Sequence, residues 1–93
     1  MTSDSRQLHD LSGIGKAMLR DFGLLGIANV PQLAKADPQE LYERLCTLTK
    51  SRQDPCVLDT FECAVAQARH PDLPAEQRNW WYYSARRKSK AAR

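Results

Sequence analysis

The residues best placed to do chemistry are Leu11-Ser12-Gly13-Ile14-Gly15-Lys16, where two glycines one apart follow an apolar residue and lead into a helix-forming stretch. Glycine lets a backbone turn tightly without side-chain obstruction. A helix that starts behind such a turn presents N–H groups that have no carbonyl partner within the helix. With the positive end of the helix dipole they make a small anion site suited to a phosphate oxygen. Ser12, Gly13, Ile14, Gly15 and Lys16 are the expected phosphate contacts, and Arg20, one turn beyond Lys16 on the same face, adds a second cation. The same two glycines also suit a tight helix-to-helix turn with no ligand, and their spacing does not separate the two readings.

A second constellation is the run Trp80-Trp81-Tyr82-Tyr83, followed by Arg86, Arg87, Lys88 and Lys90. On a helix, four consecutive rings point in directions about 100° apart, so at least one must face solvent. Exposed rings such as Trp81 and Tyr82 can stack on unpaired bases while the four cations hold phosphates. The favoured alternative is structural, with Trp80 or Trp81 anchoring the last helix, because small domains depend on large buried aromatics. The basic end is either a further phosphate contact or a solvated terminus.

Cys56, Cys63 and His70 are spaced by seven and share a helix face. Seven residues span about 10.5 Å of helix, too far for ligands that must each approach a zinc ion to roughly 2 Å, so no metal is expected. Cys56 falls in the first turn of its helix, where the dipole lowers a thiol's pKa, but Asp54 opposes that shift. His9 and Asp10 are adjacent without a nucleophile in a recognisable motif. No catalytic residue, no enzyme activity and no cofactor are therefore expected.

The elements that must position these groups are all helical. A short turn around Leu8 and Leu11 precedes the glycines. Met18, Phe22 and Leu25 form an apolar stripe that Gly26 ends. Asn29, with Pro31 and Gln32, starts a short helix that buries Leu33, Gln32 reaching back as in a capping box. Asp37, Pro38 and Glu40 start another, with Leu41, Leu45 and Leu48 as its buried face and Tyr42 at the edge, ending near Lys50. Asp54 and Pro55 open a central helix carrying Leu58, Phe61, Val65 and Ala68. The prolines at 71 and 74 bracket a linker, after which no Gly or Pro interrupts the chain. No strand-like alternation occurs.

Composition limits the possible functions. A chain of 93 residues supports one small core. The polar start and the lack of any long apolar run exclude a membrane span and a secretory leader, and three unevenly placed cysteines suit a reducing compartment, so a cytoplasmic location is expected. Five cations lie in the last eight residues, so a chain of net charge +3 has residues 1–85 at −2. The body therefore lacks a uniformly basic face, and any attraction to phosphate must be local.

Residues 11–27, ending Leu24-Leu25-Gly26-Ile27, resemble the helix-hairpin-helix motif, which holds DNA backbone without reading sequence. The wider chain resembles the small bacterial pathogenicity-locus family of helix-hairpin-helix proteins, some of which carry a mitomycin-resistance label. The matching segments are Gly13-Ile14-Gly15, Asp37-Pro38-Gln39-Glu40-Leu41-Tyr42-Glu43-Arg44-Leu45-Cys46, Asp54-Pro55-Cys56-Val57-Leu58 and Trp80-Trp81. The resemblance implies an all-α, compact bundle of five or six helices, of the SAM-like or helix-hairpin-helix type. Residues 1–83 form its single domain, and residues 84–93 form a basic tail, as a helical extension or disordered. It implies non-specific binding of double- or single-stranded DNA, linked to repair or damage resistance. Ala17 and Met18 stand where strong DNA-binding hairpins often carry Lys or Thr, and Lys35-Ala36-Asp37 lacks the glycines of a second clamp. The alternative function is a protein-interaction or homodimer-forming module with a purely structural hairpin.

Overall fold

Three of the helices begin where a side chain supplies an acceptor for orphaned N–H groups. A computed structural model of the chain describes residues 6–91, with side chains through residue 88. Five α-helices follow a 3-10 turn at Leu8–Asp10: α1 Lys16–Leu24, α2 Val30–Ala34, α3 Pro38–Thr49, α4 Pro55–Arg69 and α5 Trp80–Ala91, with a second 3-10 turn at Ala75–Arg78 before α5. No strand occurs among the described residues. The Asn29 carboxamide accepts from Gln32 N (2.9 Å), Asp37 from Gln39 N (3.0 Å) and Asp54 from Cys56 N (2.9 Å). Gln32 does reach back, but one residue further than a capping box requires, accepting from Ala28 N at 2.6 Å.

Two helices end the same way with different residues. After α1, Gly26 sits at φ +78° while Ile27 N donates to Phe22 O and Gly26 N to Gly23 O, closing the exposed carbonyls in a Schellman motif. After α3, Lys50 takes the left-handed position at φ 53°, with Ser51 N donating to Cys46 O and Lys50 N to Thr47 O. The expected stop near Lys50 is thus made by a lysine in a conformation that glycine adopts more easily.

Helix α4 packs against α2, α3 and α5. Its Phe61 meets Phe22 of α1 at 5.6 Å between ring centroids, and Leu8, Leu11, Leu25, Val30, Leu33, Leu41, Leu45 and Val65 close the core around them. The expected face of α3 needs correcting. Leu41 and Leu45 are buried, but so is Tyr42, whereas Leu48 is 53% exposed. The buried side is centred between Leu41, Tyr42, Leu45 and the half-buried Cys46, which leaves Leu48 roughly 90° from its middle. The Tyr42 hydroxyl donates to Gln53 O, tying the α3–α4 loop to α3.

The anchor of α5 also differs from expectation. Trp80 and Trp81 are 43% and 55% exposed, while Tyr83 and Ser84 are buried. Arg87, one turn beyond Tyr83, reaches the fully buried Asp59 of α4 with both Nε and Nη2, at 3.0–3.3 Å. A buried carboxylate needs such a partner, so the helix is oriented by this pair and Tyr83 rather than by a tryptophan. α5 runs unbroken through residue 84, where the basic tail was expected to begin.

Candidate functional site

The turn at residues 11–16 is held from below by apolar contacts and from the side by one glutamine. Leu8 and Leu11 are buried, and Ile14 is half-buried against the core. Gln67 of α4 accepts from Ser12 N at 2.8 Å and donates to Ser12 O at 3.0 Å, so its carboxamide pairs with the loop as another peptide group would. Arg6 donates to the carbonyls of Gln67 and Ala68 near the end of α4, fixing the segment that leads into the turn.

This anchoring sorts the expected phosphate contacts. The Ser12 N–H is committed to Gln67 and is not available to a ligand, and Ile14 N makes a long 3.4 Å bond to Leu11 O. Gly13 is at φ +82°, which favours glycine, but Gly15 has an extended backbone (φ −102°, ψ −171°) that any residue can adopt. Gly15 is the N-cap of α1 and offers no side-chain acceptor. Among the described residues no acceptor takes the N–H of Lys16 or Ala17. A Cβ added at Gly13 or Gly15 would meet nothing within 4 Å, so the outer side of the turn is open. Lys16 and Arg20 are exposed on the first turns of α1, with no carboxylate partner among the described residues. The usable donors are therefore the start of α1 and these two cations, and Ser12 contributes by holding the loop in place.

The other expected contacts divide between surface and interior. Trp81, Arg86 and Lys88 are exposed and Tyr82 is half-buried, with the Arg86 guanidinium 5.8 Å from the centre of the Tyr82 ring. Arg87 is held by Asp59 and is not a free tail cation. The side chain of Lys90 lies outside the described residues, as does Arg93.

The remaining chemistry-bearing groups are committed to structure. Cys63 is buried, and burial pushes its thiol up to about 11, so it stays protonated and unreactive near neutral pH. The hydrogen bond with Asp54 raises the Cys56 thiol as well, with burial and then the charge of Asp54 adding to the effect. Among the described residues no three His, Cys, Asp or Glu side chains form a metal-binding group. His9 Nε2 lies 3.4 Å from Asp10, whose other oxygen accepts from Gln7 N.

Asp59 and Gln67 were not expected as structural determinants. Their signal was present in the sequence: positions 59, 63 and 67 repeat every four residues beside the apolar stripe of α4, and two of the three are polar. Such a stripe on a central helix is buried on every side, and its polar members need partners from other elements.

With this geometry in place, comparison with known proteins assigns the chain. It matches the pathogenicity locus family, Cdd1, over residues 2–89. The chain belongs to that family. It is also 44% identical over 87 residues to the mitomycin resistance protein McrB of Streptomyces lavendulae, covering 94% of this chain and 79% of the relative. No solved structure matches it. No helix among the described residues is long and apolar enough to cross a membrane.

Proposed function

We propose that this family member is a non-enzymatic, sequence-independent DNA-binding module of the helix-hairpin-helix type, acting in resistance to DNA damage. The turn at residues 11–16 holds a backbone phosphate with the N–H groups at the start of α1, and Lys16 and Arg20 add charge. The observation that supports this reading most is the open side of the turn, where uncapped helix donors sit behind Gly13 and Gly15 in a loop fixed by Gln67. Such donors at a helix start are suited to a phosphate. The resistance name of the relative from Streptomyces lavendulae fits a damage-related task. One site with two nearby cations corresponds to weak binding, with a Kd of about 1–100 μM near physiological salt.

Fluorescence anisotropy with a short labelled DNA duplex, measured across a range of salt concentrations, tests the reading. Few phosphate contacts give a log–log salt slope of about −1 to −3. The decisive variant is Gly15→Asp. An aspartate at this N-cap satisfies the donors of α1 and stabilises the helix, while placing a carboxylate where the phosphate would lie. Thermal stability is expected to hold or rise as duplex affinity falls. A Gly15→Asp protein that binds duplex as the parent does would reject the phosphate site and leave the turn as a purely structural joint.

A further inference from the structure

Once Tyr83, Ser84 and Arg87 are committed to α4, the outer face of α5 has its own composition. Trp81, Ala85 and Lys88 follow one another at spacings of four and three on the solvent side of the helix, roughly 100–150° from the middle of the buried side, and all three are exposed. Tyr82 and Arg86 form the adjacent row, the guanidinium lying over the ring. A bulky indole more than half exposed is costly to leave in water, and the packing of α5 does not require it there, because Tyr83 supplies the buried aromatic contact.

Charge indicates what covers this face. No acidic residue follows Glu76, so from residue 77 onward the chain carries only cations. Arg87 is neutralised by Asp59, but Arg86 and Lys88 remain at the surface. An exposed ring with Lys88 two turns along its face and Arg86 in the next row complements a polyanion that carries free π-faces. Duplex DNA offers phosphates, but its bases are already stacked. An unpaired strand offers both.

We propose that the outer face of α5 binds single-stranded nucleic acid, with an unpaired base stacked on Trp81 and the neighbouring phosphates held by Arg86 and Lys88. Tyr82 serves as the platform that keeps the Arg86 guanidinium in position. This surface is separate from the turn at residues 11–16 and does not depend on it. A protein carrying both would grip duplex at one place and an unpaired strand at another.

The test uses the full chain and a labelled oligothymidylate of about a dozen nucleotides, with the matching oligothymidylate–oligoadenylate duplex as competitor and tryptophan quenching as a second readout. The expected result is tighter binding of the single strand than of the duplex, with quenching. Trp81→Ala should weaken single-strand binding about tenfold, and Trp81→Phe should restore most of it. Arg86→Ala combined with Lys88→Ala should reduce the salt dependence. Because Trp81 is at the surface, helix content by circular dichroism should be the same in every variant. Gly15→Asp should weaken duplex binding more than single-strand binding, whereas Trp81→Ala should do the reverse, so the two sites can fail separately. A preference for duplex, a Trp81→Ala protein that binds the single strand as the parent does, or binding only to anionic phosphatidylglycerol vesicles would overturn the assignment.

Discussion

The Asp59 carboxylate is fully buried, and Arg87 meets it with two nitrogens. Removing the arginine leaves a charge in the interior without a partner, whereas removing both members leaves apolar space that can repack. Arg87→Ala is therefore expected to lower the urea midpoint clearly, and combining Asp59→Leu with Arg87→Met should recover most of that loss. A second prediction concerns acid. Hydrogen bonds from Cys56 hold the Asp54 carboxyl below the usual carboxylate value. A group whose folded pKa is lowered stabilises the fold fully above its unfolded value, about 3.9, and loses that contribution as pH falls through the folded value. Asp54→Asn keeps a capping oxygen but does not titrate, so the decline in urea midpoint below about pH 4 should be shallower in this variant than in the parent.

At the scale of elements, the chain's own punctuation marked out the helices. Asn29, Asp37 and Asp54 begin α2, α3 and α4 as their types suggest, and Gly26 ends α1. Less legible was which side of each helix is buried when its apolar residues are ambiguous. Leu48 and the tryptophans look like core by composition, but the stripe on α3 is rotated toward Tyr42, and α5 docks through Tyr83 and an ion pair. Both outcomes depend on what the facing element supplies, which no local window contains. The turn at residues 11–16 was visible from its glycines, whereas the bond that commits Ser12 comes from a residue 55 positions away. That bond yields a prediction at this scale. Gln67→Leu removes both partners of the Ser12 peptide and should cost about 1–2 kcal/mol. Amide hydrogen exchange at Ser12 should accelerate, and duplex binding should weaken although no residue of the turn itself has changed.

For the molecule as a whole, α5 is part of the body and not an appendage. A chain ended after Tyr83 keeps the aromatic run but loses Arg87, leaving the Asp59 carboxyl of α4 without its partner. Such a chain is expected to lose its sharp thermal transition, to be checked by calorimetry, while point substitutions at Arg86 and Lys88 leave that transition in place. Charge at this scale is divided, with a net −2 over residues 1–85 and all of the excess cation beyond them. The Ser12–Gln67 and Arg6–Ala68 bonds join the glycine-turn segment to the end of α4 across 55 and 62 residues. On the ribosome, at about 5–20 residues per second, roughly 3–11 s separate the making of Ser12 from that of Gln67. Throughout that interval the glycine turn has no glutamine to hold it, so a segment made before α4 takes its final shape only after α4 exists.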